Sequence, residues 1–253
     1  LTTLDGASTS IEIQLRLSNA KHYNDWIYAL LEPHLGQRIL EAGCSIGNFT
    51  SRFLNRQRVV SVDVLPEALL HLRKTIGNAP NVRSLCMDLE SDGFRDLAGE
   101  KLDTIVCLNV LEHIRDDSAL LKKFWSLLEP GGKLLLFVPA MPVLYGSMDS
   151  ADGHFRRYEK QGLSTLIRKV DFKLVECRYV NILGVARWFF NGRVLKRRLL
   201  PLKQLALFDR FLVPFARWFE SRWDPPLGQS LFVVAAKPCL PSVTPRLHAP
   251  PLV

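Results

Sequence analysis

Glu41, Gly43 and Gly47 lie close together in the run Ile39-Leu40-Glu41-Ala42-Gly43-Cys44-Ser45-Ile46-Gly47-Asn48-Phe49-Thr50. The run reads as a buried strand that breaks into a glycine turn and continues as a helix, and such a turn lets a ligand approach the backbone. Asp63, twenty residues beyond Gly43, closes the apolar run VVSVD. A carboxylate at that place can accept hydrogen bonds from both hydroxyls of a ribose, so turn and acid together point to a bound nucleoside. The glycine spacing is G-x-x-x-G, whereas pyrophosphate-binding turns use G-x-G-x-x-G. Glu41 would repel a pyrophosphate, yet could pair, directly or through water, with a cationic amino-acid group. S-adenosylmethionine is a nucleoside with that charge; a nicotinamide dinucleotide, and with it an oxidoreductase, fits less well.

A second cluster follows in Leu144-Tyr145-Gly146-Ser147-Met148-Asp149-Ser150-Ala151-Asp152-Gly153-His154-Phe155-Arg156-Arg157-Tyr158. His154 is the candidate general base, since an imidazole titrating near pH 6.5 can take the proton from an attacking hydroxyl. Arg156 and Arg157 could hold a phosphate or carboxylate through forked hydrogen bonds. The competing reading is a structural loop clasped by salt bridges. The cysteines Cys44, Cys86, Cys107, Cys177 and Cys239 form no C-x-x-C pair, so neither a disulfide framework nor a metal site is expected. Cys44 and Cys107 sit in or beside buried strands without an adjacent base and read as inert.

These residues need a scaffold, and the pattern around them supplies one. From Arg38 onward the runs RILEA, RVVSVD, VRSLCM, LDTIVCL and KLLLFV alternate with amphipathic stretches such as Pro66 to Ile76 and Asp117 to Leu128. Alternating strand and helix predicts an α/β fold with a parallel sheet buried on both faces. The turn Glu129-Pro130-Gly131-Gly132 ends a helix and launches a strand. Pro139 to Tyr158 reads as an irregular active-site loop, and Glu159 to Lys169 as a helix ahead of the run DFKLVECRYV. About fifty residues separate that run from the last one, SLFVVAAK, where a hairpin would need only a few. The expected organisation is therefore an N-terminal helical cap over 1–37, a core over 38–183, a helical insertion over 184–227, a final core strand over 228–237 and a loose tail over 238–253. Within the cap, Lys21 to Glu32 carries Tyr23, Trp26, Ile27 and Leu30 or Leu31 along one face and reads mainly as a packing helix.

The sequence resembles the class I S-adenosylmethionine-dependent methyltransferases, whose first motif, E-x-G-x-G-x-G, is met by Glu41, Gly43 and Gly47 with Ser45 at the middle glycine. The resemblance runs from about residue 21 to about residue 180 and implies a Rossmann-like seven-stranded sheet with helices on both faces. It implies that Cys44 and Ser45 line the cofactor turn, that Asp63 with Val64 meets the ribose, and that Asp88 with Leu89 touches adenine. It also implies that Asn109 and Val110 lie beside the sulfonium with His113 one helical turn on, while Glu112 reads better as a packing residue. The segment Leu102 to Ile114 is similar to the small-molecule branch, which includes enzymes acting on quinones. The H-x-R-R-Y signature ending in Tyr158, together with Asn191 to Leu195, resembles a bacterial subgroup associated with glycosyltransferase systems. The expected catalytic residues are His154, Arg157 and Tyr158, with transfer by direct displacement and without a metal.

The formal net charge of +8 is concentrated in one place. Between Gly184 and Trp223, nine Lys or Arg (187, 193, 196, 197, 198, 203, 210, 217, 222) face two acids (209, 220), a local excess of 9 − 2 = +7. The same stretch holds Trp188, Phe189, Phe190, Phe208, Phe211, Phe215, Trp218, Phe219 and Trp223. Basic helices with large aromatics favour anionic membrane surfaces; the alternative packs the aromatics onto the sheet as a substrate lid. Nucleic acid is disfavoured because no reader motif or stacking platform appears. The expected acceptor is a small or lipid-linked molecule, a saccharide carrier included. No leader and no apolar run of spanning length is evident, and a cytoplasmic setting, at or near the inner membrane face, is expected. A third functional class is a noncatalytic cofactor-binding partner of a membrane glycosylation complex.

Overall fold

The computed structural model describes residues 4–91 and 93–239; the expected tail over 238–253 lies almost wholly outside them. Seven strands, β1 (Arg38–Ala42), β2 (Arg58–Asp63), β3 (Val82–Cys86), β4 (Leu102–Leu108), β5 (Leu128–Pro139), β6 (Lys173–Val180) and β7 (Ser230–Ala236), form one sheet. The order is β3-β2-β1-β4-β5-β7-β6. The first five strands are parallel, and β7 runs antiparallel to both β5 and β6. The Rossmann-like seven-stranded expectation is met. The order reverses between β1 and β4, which puts a ligand crevice outside the carboxyl ends of those two strands.

Alternation along each strand sends side chains to two cores. Leu40, Ala42, Val60, Val62, Leu134 and Leu136 face one layer, where α4 (Asp117–Leu127) and α6 (Lys160–Lys169) contribute Leu121, Phe124, Leu163 and Ile167. Ile39, Val59, Val106, Leu135 and Phe137 face the other, where α2 (Lys21–Leu31) contributes Trp26, Ile27 and Leu31. The packing role expected for α2 is the observed one. Ahead of it lies α1 (Leu4–Ser18); α3 (Pro66–Ile76) starts with its proline in the first turn, where no donor is missed, and α4 is capped by Asp116, whose carboxylate accepts from Ala119 N at 2.9 Å.

Four local expectations change. The helix expected after Gly47 is a single 3-10 turn, Thr50–Arg52. Few residues remain before β2, and Asn48 is drawn to the carbonyl of Gln14 instead. The Glu129–Gly132 turn is an excursion within β5, bridged to β7 by Gly131 N to Lys237 O and Lys237 N to Gly132 O. The Pro139 to Tyr158 loop contains a short helix, α5 (Ser147–Asp152). The insertion begins two residues earlier than 184, with α7 (Ile182–Phe189), which runs on through a π-helical turn, Phe190–Val194.

The rest of the insertion is one long rod. It consists of α8 (Leu202–Leu207), a π-helical turn (Phe208–Leu212) and α9 (Val213–Glu220). Pro214 explains the widened turn: a proline inside a helix lacks one donor and crowds the carbonyl four residues back, and a π turn there relieves both. The rod buries Phe208, Val213 and Ala216 against the α2 side of the sheet.

Candidate active site

Because β1, β2, β4 and β5 are parallel, their carboxyl ends bring the glycine turn, Asp63, Asn109 to His113 and the Pro139 to Tyr158 loop to one edge. The turn after β1 is fixed by Gly43 N and Cys44 N, which both donate to Val62 O. Gly43, Ser45 and Gly47 all have left-handed backbone, with φ of 81°, 45° and 89°. Any side chain at Gly43 would collide with Val110, since a β-carbon there would lie 2.2 Å from Val110 Cγ2. One at Gly47 would lie 2.4 Å from Leu72 Cδ1 in α3. Both glycines therefore serve close packing as well as chain reversal. A cleft of about 360 Å³ opens beside the turn, between Ile46, Gly47 and Asn48 on one side and Leu15, Lys21 and Asn24 of the cap on the other.

The two acids differ. Asp63 stays at the lip of the edge, 9% exposed, with Oδ2 accepting from Ser45 N at 2.7 Å and Oδ1 from Leu65 N at 2.9 Å. Each oxygen keeps a second lone pair for a ribose hydroxyl. Burial raises its pKa, opposed by those amides. Glu41 sits deeper; its Oε2 accepts from Thr50 Oγ1 and Ser61 Oγ at 2.5 and 3.2 Å, and burial pushes its carboxyl up to about 7 despite those bonds. The carboxyl thus braces the turn from beneath.

Other residues implied by the resemblance scatter more. Val64 and Asp88 are exposed, Cys44 is buried, and Asn109 is exposed in a left-handed conformation with its N–H on Phe137 O at 2.7 Å. The Leu89 side chain is buried in the core, so a role in touching adenine could fall only to its backbone. Burial drives the Cys44 and Cys107 thiols far above the usual range, in keeping with inert cysteines.

Beside this edge lies a buried ionic cluster that the sequence shows only in fragments. His154 Nδ1 is 3.1 Å from Asp149 Oδ1, its Nε2 is 3.2 Å from Asp152 Oδ2, and Glu112 Oε1 lies 3.9 Å from Nε2. Burial alone would depress the His154 pKa, but the Asp149 and Asp152 carboxylates, with Glu112 behind them, raise it to about 9. His154 is therefore an imidazolium near neutral pH, with both ring nitrogens engaged, and has no lone pair to take a proton. The expectation of His154 as general base is corrected on that ground.

His113 packs edge-on against it, ring centroids 4.7 Å apart, and burial together with the His154 charge holds its pKa down at about 4. Glu112 is fully buried, neither oxygen has a hydrogen-bond partner, and burial lifts its carboxyl to about 7 against the pull of His154. Donor atoms of Glu112, His113 and His154 lie within 4.8 Å of one another. With both His154 nitrogens already held by carboxylates, this grouping shares protons rather than offering three free ligands.

Arg157 and Tyr158 are corrected as well. Arg157 is 5% exposed; its Nε donates to Asp149 Oδ1 at 2.7 Å, its Nη1 to Ala140 O at 2.9 Å, and its guanidinium lies over Trp188. It is spent on the loop and cannot reach out to an anion. Tyr158, 6% exposed, donates its hydroxyl within reach of Asp117 Oδ2 and Leu111 O. Arg156 bonds Asp117 Oδ2 at 2.8 Å and Arg115 O at 2.9 Å. The salt-bridge-clasped loop is the reading that the geometry favours. Sequence reasoning missed Asp149, Asp152 and Trp188, whose indole donates to Asp149 Oδ2 at 3.2 Å. The acids at i and i+3 on one short helix just ahead of His154 were the available signal; Trp188 had none.

Comparison with known proteins agrees with the fold. Residues 40–134 match the family described as Methyltransferase domain. The ubiquinone biosynthesis O-methyltransferase of Xanthomonas axonopodis pv. citri is 33% identical over 117 residues, 44% of this chain and 46% of that protein. Its counterpart from Xylella fastidiosa (strain 9a5c) is 32% identical over 109 residues, 41% and 42% of the two chains. The match thus spans less than half the length of these curated relatives. Among solved structures, one chain from the complex of the Haloferax volcanii Trm112 methyltransferase activator with a putative methyltransferase superposes with a TM-score of 0.64 at 13% identity, covering 92% of this chain and 98% of that one. The N-methyltransferase NodS from Bradyrhizobium japonicum, in complex with S-adenosylhomocysteine, superposes with a TM-score of 0.52 at 15% identity over 86% of each chain. Residues 40–134 thus match a methyltransferase domain, and the seven-stranded sheet around them has the Rossmann-like fold of S-adenosylmethionine-dependent methyltransferases.

Proposed function

We propose that the protein transfers a methyl group from S-adenosylmethionine to a hydroxyl oxygen of a small-molecule or lipid-linked acceptor, a saccharide carrier being one such acceptor. The observation that carries this reading is the left-handed turn at Gly43, Ser45 and Gly47 beside Asp63, on the strand edge where His113 packs against His154. The residues fit the cofactor: Gly43 and Gly47 keep the left-handed turn free of side chains there, Val110 packs against Gly43, and Asp63 retains acceptor capacity for a ribose. When bound, S-adenosylmethionine supplies an electrophilic methyl group on a sulfonium. Gly43 to Gly47 and Asp63 hold and orient it, with Asn109 and Val110 closing the β4 side.

His113, uncharged over the neutral range, accepts a hydrogen bond from the acceptor hydroxyl and orients it; burial and the adjacent imidazolium make it a weak base, so the proton leaves to solvent as the methyl group is transferred. His154, charged and fixed between Asp149 and Asp152, positions His113 and keeps it neutral. Transfer to oxygen is supported by the name that the curated relatives carry. The rival reading, a cofactor-binding subunit without turnover, predicts the same ligand binding with no transfer.

Calorimetric titration with S-adenosylmethionine, S-adenosylhomocysteine and NAD tests the cofactor. The two sulfur nucleosides should bind, and Asp63→Ala should weaken both by roughly tenfold, the order expected for losing hydrogen bonds to a charged group. Binding of NAD alone, or of none of the three, would overturn the assignment.

A further inference from the structure

The rod from Leu202 to Glu220 has two apolar faces, which a helix at the surface of a soluble protein ordinarily does not have. One face, with Leu205, Phe208, Val213 and Ala216, is buried. The other exposes Leu207 (64%), Phe211 (58%), Phe215 (55%) and Trp218 (54%), and Trp223 just beyond the rod is 44% exposed. The spacings of four, four and three residues stack one above another on a helix. The rings associate with one another: Phe215 stacks on Trp218 and on Phe219, with centroids 6.1 and 6.5 Å apart, and Phe219 meets Trp223 at 5.1 Å. Single exposed apolar residues are ordinary, but a contiguous stripe marks an interaction surface.

Charge on the rod tells what lies opposite. Both acids turn inward, Asp209 to the N–H groups of His22 and Tyr23 and Glu220 to those of Asn181 and Ile182. Every ionisable side chain that the rod leaves exposed is therefore a cation: Lys203, Arg210 and Arg217, with Arg222 following. Arg210 and Arg222 extend over the rings of Phe211 and Trp218. A second copy of this chain would set these cations against their like. A nucleic acid has no use for the aliphatic side chains of Leu202, Leu207 and Leu212, all exposed. An anionic bilayer surface satisfies both features, because the aromatics enter the acyl boundary while the cations meet lipid phosphates.

We propose that the outward face of residues 202–223 is a docking surface for an anionic lipid membrane, on which the protein rests without crossing it. Among the described residues no helix is long and apolar enough to span a membrane, so attachment is by insertion of side chains alone. The two acid anchors make the rod a rigid platform rather than a segment that folds on contact. This inference stands apart from the methyl-transfer reading, since it uses no residue of the strand edge.

The test is sedimentation of the full chain with phosphatidylcholine vesicles, with and without phosphatidylglycerol. Binding should require the anionic lipid and weaken with salt. Lys203→Gln, Arg210→Gln and Arg217→Gln together should lower it on the order of 100-fold, at about fivefold per cation near the surface. The pair Phe211→Ser and Trp218→Ser should lower it at least about tenfold. Brominated acyl chains should quench Trp218 and Trp223. All five positions are exposed, so unchanged thermal melting will show that each variant folds. A chain that stays in the supernatant at low salt, binding indifferent to both variants, or a dimer that the aromatic variant dissolves in the absence of vesicle binding would each overturn the proposal.

Discussion

His113 and His154 illustrate how environment, not residue type, sets the role of a side chain. Two imidazoles in edge contact cannot both be charged at low cost, and the three carboxylates around His154 decide which of them holds the proton. Nitrogen-detected NMR should find His154 still protonated at pH 8 and His113 still neutral at pH near 5.5; the reverse order would free His154 to act as the base and overturn this assignment. Replacing His113 by Ala should abolish transfer with little effect on cofactor affinity. Arg157 belongs with the framework. Arg157→Ala removes the shorter of the two ion pairs on buried Asp149, together with a hydrogen bond to Ala140 O, and should cost about 3–5 kcal/mol, measured by urea unfolding. A variant of wild-type stability that fails only in acceptor binding would instead restore Arg157 as an anion holder.

At the scale of elements, the insertion is docked through helix ends. Asp209 places its carboxylate on the first free N–H groups of α2, and Glu220 does the same for α7, where Asn181 also caps by accepting from Gly184 N. Helix N-termini carry unpaired donors and partial positive charge, so each acid satisfies two amides and a dipole at once. This answers why a basic segment retains only two acids: they are its buried attachment points. Asp209→Ala should destabilise the fold by about 1–3 kcal/mol in chemical denaturation, the cost of stranding buried amides, whereas truncating exposed Arg217 should change stability little. Equal effects at both positions would mean that the rod is not held in this way. The third helix contact is steric. A β-carbon at Gly146 would lie 2.9 Å from the backbone of Gly192, so the loop of α5 and the π turn after α7 touch main chain to main chain.

For the whole molecule, the buried cluster sets how stability depends on pH. His154 has a folded pKa of about 9 against 6.5 unfolded, so its contribution is complete below about pH 6.5 and disappears as pH rises through 9. Glu41 and Glu112, raised from 4.5 to about 7, act in the same direction over a lower window. His113, lowered to about 4, acts oppositely below 6.5. The free energy of unfolding should therefore fall between pH 6.5 and 9, by up to roughly 3 kcal/mol from His154, with the melting temperature falling alongside, and His154→Gln should flatten that limb. A limb unchanged in the variant would place the titration elsewhere.

The parallel strands, the glycine turn and Asp63 were legible in the sequence because strand periodicity and left-handed turns are local properties, fixed by neighbours in the chain. The amphipathic helices were legible for the same reason. What tertiary structure alone decided is which groups lose water and which partners they meet. Glu112 read as packing and Arg157 as free because neither the burial of His154 nor the acids gathered around it is a local pattern. The aromatics of the insertion read as one set, yet packing against the sheet divided them, drawing Phe208 inward and leaving Phe211, Phe215 and Trp218 facing out. Composition determined that the segment is basic and apolar; only the docking of Asp209 and Glu220 fixed which face it presents to its surroundings.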